Sequence, residues 1–273
     1  MTERNEKTKF LEWFVGFAEG DGSWQTEETK LQCRSIFVIN QKNPQVLYKI
    51  KSKLGYGTIT GPYSQKNPSG TISTYYRYRV GDFEGTRNLV EIFNGKLVLD
   101  KTRERFAKYL EVQNRRACKP TFNAPVIALI DSAMEPSLSH GWLSGFIDAE
   151  GCFSHSFSRN VSSDEIASVK LRFTLPQKGE KRVFDYLQSI LGGSLGLEGS
   201  EGYYRLEVSG QNDLKRIIDY LGQNGLYSVK SIALARFKKI YYRLTDGKFR
   251  FRMLSRRSRA RFVRLCRDIN KNL

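Results

Sequence analysis

Two acidic residues of this chain stand at the ends of stretches that say nearly the same thing twice. Asp21 lies in "WFVGFAEGDGSW", residues 13–24, and Glu150 lies in "WLSGFIDAEGCF", residues 142–153. Trp13 matches Trp142, Gly16 matches Gly145, Phe17 matches Phe146, Asp21 matches Glu150 and Gly22 matches Gly151, each pair 129 positions apart. A constant shift near half the chain length is the mark of an internal duplication. Small residues recur four apart in both copies, Gly16 with Gly20 and Gly145 with Ala149. Residues i and i+4 share a helix face, and missing side chains let two backbones come close. Packing through those faces predicts that the two acids sit together at the bottom of a pseudo-twofold. Carboxylates that close repel unless a cation lies between them, and their oxygens suit a hard divalent ion such as Mg²⁺.

The rest of the composition narrows what such a site serves. A formal net charge of +17 over 273 residues favours a polyanionic partner, nucleic acid before an acidic membrane surface. No apolar run reaches membrane-spanning length, and the polar start "MTERNEKTK" does not read as a signal peptide. Cys33, Cys118, Cys152 and Cys266 are scattered without a CxxC pair, and two histidines are too few for zinc clusters. The thiols are expected to be reduced and structural.

The elements that must position the acids can be read in the same order in each half. Residues 10–20 and 138–149 are apolar helices. "LQCRSIFVINQ" alternates, with Leu31, Cys33, Phe37 and Ile39 on one face and Gln32, Arg34 and Asn40 on the other; "VKLRFTLPQ" sets Val169, Leu171, Phe173 and Leu175 against Lys170, Arg172 and Thr174. Period two with one apolar face predicts half-buried strands. "PQVLYKIKSKLG" and "KRVFDYLQSILGG" read as amphipathic helices closed by glycine, and "YYRYRV" and "YYRLEV" as strands. Helices are predicted over 84–94, 101–117, 211–222 and 229–243. The expected fold is α+β: a pseudo-twofold pair of α-β-β-α-β-β-α repeats, each with one further helix. The expected boundaries are a first repeat over 1–114, a linker over 115–137, a second repeat over 138–246 and a basic tail over 247–273. The tail has nine basic residues and no acid between Lys248 and Arg267. It reads either as a flexible basic arm or as a nucleic-acid-contacting segment docked in part as a helix through Phe251, Leu254, Phe262 and Leu265.

"FVGFAEGDG" and "LSGFIDAEG" resemble the two copies of the signature of single-chain, two-repeat LAGLIDADG homing endonucleases, and the order of elements resembles that family over residues 10–243. The resemblance implies a site-specific endonuclease that makes a metal-dependent, staggered double-strand break at a long target. It implies that the motif helices pack at the centre, that each half turns a curved antiparallel sheet to the DNA major groove, and that Asp21 and Glu150 bind metal with help from the carbonyls of Gly20 and Ala149. Glu19 and Asp148 would be structural, at the helix interface. Gln41 and Gln177, ending the second strand of each half, match the family's active-site glutamine. Lys101 and Lys230 fall where the family keeps a basic residue near the scissile phosphate. One departure is visible: Lys181 supplies a further basic residue after the second glutamine, but Gln45 stands at that place in the first half. The implied cofactor is Mg²⁺, with Mn²⁺ or Ca²⁺ as substitutes. The implied partner is double-stranded DNA bound by a monomer, with no membrane, and the implied compartment is an organelle, the mitochondrion before the chloroplast.

Phosphodiester hydrolysis needs an activated water, charge stabilisation at phosphorus and a protonated 3′ leaving oxygen; carboxylate-held metal ions supply the first two. His140 and His155 do not repeat across the halves, so histidine catalysis at two sites is not expected; His140 reads as a helix-start residue and His155 as a strand residue turned toward DNA. Lys101 and Lys230 would stabilise developing charge. Arg34, Arg77, Arg79, Lys170, Arg172 and Arg205 alternate with apolar residues and are expected on almost purely basic DNA-binding faces, the arginines reading base edges and lysines such as Lys42 and Lys178 meeting phosphates. Three other readings share these features: an intron RNA maturase on the same scaffold, a catalytically silent DNA-binding protein, and a basic protein of membrane surfaces. Both acids and both lysines are kept, which favours cleavage.

The two halves are not spaced alike. Asp21 to Gln41 is 20 positions and Glu150 to Gln177 is 27, so the second half carries extra residues around "SRNVSSDE". Gln41 to Arg77 is 36 and Gln177 to Arg205 is 28, the first half being longer in "GPYSQKNPSGTIS", read as a loop. Hairpins that differ in opposite directions predict a non-palindromic target. Two palindromes, each built from one half-site repeated, should be cut more slowly than the natural hybrid at equal enzyme and salt; equal cutting of either would show that the halves do not divide the recognition.

Overall fold

The computed structural model describes residues 5–29, 33–160, 165–198, 202–247 and 249–271. Leu31 and Gln32 of the predicted strand, the tip of the "SRNVSSDE" hairpin and Lys248 lie outside them. The chain divides into two compact units, Met1–Ala149 and Glu150–Leu273.

The first unit opens with α1, Glu6–Asp21, whose N-terminus is capped by the Asn5 side chain accepting from the Thr8 N–H at 2.7 Å. Phe10 and every residue from Trp13 to Glu19 are buried, so α1 is a core helix rather than an amphipathic surface one. It runs directly into β1, Gly22–Glu28, which pairs antiparallel with β2, Cys33–Gln41, Gly22 facing Ile39. After α2, Gln45–Leu54, the chain turns at Gly55, whose φ of 85° is the left-handed conformation that glycine adopts without strain. β3, Thr58–Lys66, and β4, Ile72–Val80, complete a sheet in the order β1-β2-β4-β3. α3, Phe83–Phe93, and α4, Asp100–Ala117, follow. Phe14, Trp24, Phe37 and Phe93 form an aromatic core in which α1, β1, β2 and α3 meet.

"GPYSQKNPSGTIS" is not a loop. It forms the outer part of the β3–β4 hairpin, with Tyr63 opposite Tyr75 and Lys66 opposite Ile72. Neither face of this extension is buried, Tyr63 and Ile72 being exposed, so it lacks the apolar alternation that betrays a strand. Pro62 is tolerated because β3 is an edge strand and the register shifts between Thr60 and Tyr63.

The segment after α4 has no regular structure, yet its backbone is held. Asn114 Nδ2 donates to the Ile127 carbonyl and its Oδ1 accepts from the Ile127 N–H. Asn94 does the same with the Ala128 carbonyl and the Ile130 N–H, and the Met134 N–H reaches the Leu97 carbonyl. The strap leads into α5, Trp142–Glu150, which lies against α1. A Cβ at Gly16 would collide with the Trp142 carbonyl, and a Cβ at Gly145 with the Trp13 carbonyl. The contact is reciprocal, backbone on backbone, as the spacing of small residues predicts.

The second unit repeats the order. β5, Cys152–Arg159, β6, Ile166–Lys178, α6, Lys181–Leu191, β7, Ser194–Glu198, and β8, Tyr203–Val208, give a sheet ordered β5-β6-β8-β7, followed by α7, Gln211–Asn224, and α8, Lys230–Thr245. The fold is therefore α+β with two four-stranded antiparallel sheets among the described residues. The basic tail is no loose arm. A 3-10 turn at Phe251–Met253 leads to α9, Arg256–Arg267, which buries Phe262, Val263 and Cys266, with Ile269 buried just beyond. Arg236 caps its C-terminal end by donating to the carbonyls of Asp268 and Lys271, and the Asn270 amide donates to Phe153 of β5. The docking stripe is Phe262, Val263, Cys266 and Ile269 rather than one through Leu254 and Leu265, which are only half-buried.

The helix contact sets a stability test. Gly16→Ala or Gly145→Ala forces a methyl into a backbone carbonyl, an overpacking that costs about 1–3 kcal/mol or more. Thermal unfolding should show a clearly lower midpoint for each, whereas Gly247→Ala, at a position with open space and no left-handed backbone, should change it little.

Candidate active site and nucleic-acid interface

Asp21 is the last residue of α1 and Gln41 the last of β2, and the register that sets Gly22 opposite Ile39 brings them together. Gln41 Nε2 donates to Asp21 Oδ2 at 2.8 Å, which fixes the carboxylate while both residues stay half-buried. Gly20 precedes Asp21 on the final turn.

The residue before that turn is tied down more firmly. Glu19 is 3% exposed, and its carboxylate accepts from the Val98 N–H at 2.9 Å, the Leu99 N–H at 2.8 Å and Trp142 Nε1 at 2.6 Å. Three donors offset the desolvation of the buried charge. Asp148 of α5 is the counterpart: it accepts from Trp13 Nε1 at 3.1 Å. The two indoles thus cross the helix contact in opposite directions. Glu19 also fixes the two residues that lead into α4, and so the start of the helix that carries Lys101 as its second residue.

In the second unit Glu150 ends α5, Gln177 lies near the end of β6 opposite Tyr204, and Lys230 is the first residue of α8. Gln177 is buried on the same face as Leu171, Phe173 and Leu175, and its amide oxygen accepts from the Lys178 N–H at 3.2 Å. Ser228 accepts from the Lys230 N–H at 3.0 Å and helps to start that helix. Ala149 closes the first unit and Glu150 opens the second.

The basic strand residues lie where alternation puts them. Arg34 and Asn40 of β2 and Arg77 and Arg79 of β4 share the face opposite the aromatic core; Lys42 follows just beyond β2. Lys170, Arg172 and Lys178 of β6 share a face with Arg205 of β8. These faces are not purely basic. Glu27 sits opposite Arg34, and Glu207 lies beside Arg172, whose Nε is 2.9 Å from Glu207 Oε1 without alignment for a hydrogen bond. "YYRLEV" shows this in retrospect, since Arg205 and Glu207 are two apart on one strand. Asn40 Oδ1 accepts from Arg77 Nε at 3.1 Å, and Arg77 lies over the rings of Tyr63 and Tyr75. His155 does not share the face of Lys170 and Arg172. It shares the helix-covered face of β5 with buried Phe153, stacks edge-on against Phe157 at 4.6 Å, and its pKa is lowered by burial first and by Arg267 second. His140 receives the Trp142 N–H at 3.4 Å just ahead of α5, as a helix-start residue does.

Among the described residues no group of three or more His, Cys, Asp and Glu could by itself hold a metal ion. One carboxylate per repeat with neighbouring carbonyl oxygens is a hard, sparse donor set. It fits Mg²⁺, which keeps water and phosphate oxygens in its shell, and does not fit zinc.

The model of the family described as LAGLIDADG endonuclease matches residues 14–113 and again 143–241. The chain belongs to that family. Among its relatives is "Probable intron-encoded endonuclease 4" of Neurospora crassa, 37% identical over 242 residues that make up 88% of this chain and 41% of that protein. "Intron-encoded RNA maturase bI4" of Saccharomyces cerevisiae is 23% identical over 240 residues, 88% of this chain and 33% of that one. This LAGLIDADG chain therefore spans less than half the length of either relative. Its fold matches that of I-SmaMI, solved bound to uncleaved DNA target in the presence of calcium ions, with a TM-score of 0.69 at 15% identity, covering 99% of this chain and 100% of that one.

The signature's inner acids thus hold the motif helices together. Glu19→Ala orphans three buried donors, each costing about 1–3 kcal/mol. The variant should lose most of its cooperative unfolding transition, and Glu84→Ala, on the first turn of α3, should not.

Proposed function

We propose that this chain is a site-specific DNA endonuclease that makes a staggered double-strand break. The observation that carries the reading is the Asp21–Gln41 hydrogen bond at the end of a motif helix that occurs twice. In the proposed site Asp21 and Glu150 each hold a divalent ion, Mg²⁺ in the cell, with the carbonyls of Gly20 and Ala149 as further oxygen ligands. When bound, the ion lowers the pKa of a water and acts as a Lewis acid on the phosphate. Gln41 keeps the Asp21 carboxylate in one rotamer, and Gln177 has the equivalent place in the second repeat. Lys101 and Lys230, each at the first turn of a long helix, stabilise charge developing on the scissile phosphate.

The sheet faces bind the duplex as a monomer. Arginines there meet base edges, and Lys42, Lys170 and Lys178 meet phosphates, which set position and most of the affinity. Support comes from family membership, from the +17 charge and from the DNA-bound state of I-SmaMI. The intron-encoded relatives support an organellar intron as the gene's setting. The relative named as an RNA maturase keeps open a second role with intron RNA. Both acids are present here, and cleavage is the role that needs them. No described helix is long and apolar enough to cross a membrane.

Asp21→Asn and Glu150→Gln should each abolish double-strand cleavage in Mg²⁺, because a neutral amide is a poor ligand for this ion. Gel-shift affinity for the same duplex should stay within a few-fold of the parent, and EDTA should silence the parent enzyme. Full cleavage by either variant would remove these residues from the metal site.

A further inference from the structure

Among the sheet-face arginines, two differ from the rest in how they are held. Arg77 on β4 is fixed through Nε by Asn40 on β2, at 3.1 Å, and lies 5.3 Å and 5.9 Å from the ring centres of Tyr63 and Tyr75. Tyr63 is itself anchored by a hydrogen bond from its hydroxyl to Thr60 Oγ1 at 2.9 Å. Arg172 Nε on β6 lies 2.9 Å from Glu207 Oε1 on β8, an ion pair not aligned as a hydrogen bond. In both, the facing oxygen comes from the neighbouring central strand and lies against the inner nitrogen, as a hydrogen bond for Arg77 and as an ion pair for Arg172. Among the described residues neither guanidinium has a hydrogen-bond partner at its two terminal nitrogens. Arg34 and Arg79, on the same face as Arg77, are exposed and have no such anchor there.

The roles of the strands are exchanged. In the first repeat the arginine is on the later strand and the acceptor on the earlier one; in the second the reverse holds. Glu207 takes the strand place that Arg79 has in the first repeat, each lying two residues after an arginine, Arg205 or Arg77. The feature is therefore not inherited in register from the duplication. The two repeats carry it at different places on their sheets.

A guanidinium anchored at Nε presents its terminal pair as a fixed fork. That fork matches the O6 and N7 acceptors of guanine in the major groove. A phosphate contact does not need the anchor, because a mobile cation serves as well. An unpaired carboxylate would be unfavourable on a surface facing a polyanion; Glu207 becomes tolerable only through its arginine. Beside Arg77 a cleft of about 410 Å³, walled by Asn40, Lys42, Gln65, Ser73 and Tyr75, leaves room for a base edge.

We propose that Asn40 and Glu207 are positioning residues for specificity. They hold Arg77 and Arg172 as guanine readers, one in each half of the target, and act through those arginines. The proposal rests on the DNA-binding reading given above. Its test is binding of the intact protein to a library of duplex targets in Ca²⁺, scored as preference at each base pair. Variants are first checked for an unchanged melting midpoint. Arg77→Ala and Arg172→Ala should each erase guanine preference at one base pair, in different half-sites. The expected discrimination there is roughly five- to 150-fold in the parent. Asn40→Ala should flatten the same base pair as Arg77→Ala, Asn40→Asp should restore it, and Asn40→Ala combined with Arg77→Ala should lose nothing more. Glu207→Ala should flatten the base pair lost in Arg172→Ala, even where removal of the carboxylate raises overall affinity. Uniform changes in affinity with every preference intact, or changes at a base pair the arginine does not control, would overturn the proposal. A parent protein with no sequence preference at all would overturn the endonuclease reading instead.

Discussion

Two helices of the first unit approach each other so closely that no side chain fits between them. Gly16 faces the Trp142 carbonyl, Gly145 faces the Trp13 carbonyl, and the remaining order follows from that approach. The tryptophans cannot lie between the helices, so they reach past them, and each indole N–H finds the inner acid of the opposite helix. Glu19, held there, is free to take two further backbone donors at the entrance to α4. A packing constraint at two glycines is thereby carried to the start of the helix that holds Lys101. α1 itself stops at Asp21, where Gln41 at the end of β2 meets the carboxylate.

The large positive charge is handled by three different devices. On the sheet faces, acids and amides restrain particular arginines instead of cancelling the field. In α9, Arg256, Arg257, Arg261, Arg264 and Arg267 stay exposed while an apolar stripe docks the helix. Inside the first unit, Arg116 is only 6% exposed and is surrounded by Ser35, Thr86 and Gln113 oxygens and two phenylalanine rings. Burial lowers its pKa, and neutral acceptors replace the carboxylate that such a cation would ordinarily need.

Periodicity and repetition made most of the architecture readable. The 129-residue shift pairs not only Asp21 with Glu150 but also Trp13 with Trp142 and Glu19 with Asp148, the partners in the crossed hydrogen bonds. Helix and strand cores with one apolar face were equally plain. What escaped was structure without an apolar face or with its signal diluted. The outer β3–β4 hairpin buries neither face. α9 carries so many arginines that Val263, Cys266 and Ile269 are hard to see as a stripe, although their spacing is helical. The facing of His155 follows from Phe153, two residues earlier, and not from residue type. Glu207 stands two residues after Arg205 on the same strand and breaks the basic alternation that the arginines suggest.

The strap between α4 and α5 is recognised by its peptide groups. Asn94 and Asn114 each clamp one amide and one carbonyl, as a neighbouring strand would, and they are indifferent to the side chains at residues 127, 128 and 130. Val126, Leu129 and Ile130 point outward and are largely exposed. Sequence drift should therefore be broad along this stretch and narrow at the two asparagines, which are far away in the chain. Proline is the exception: it is harmless at Pro125, but at 127 or 130 it would delete a donor that a clamp requires. The connector is thus specified from outside itself, and its own residues are an unreliable guide to how firmly it is held.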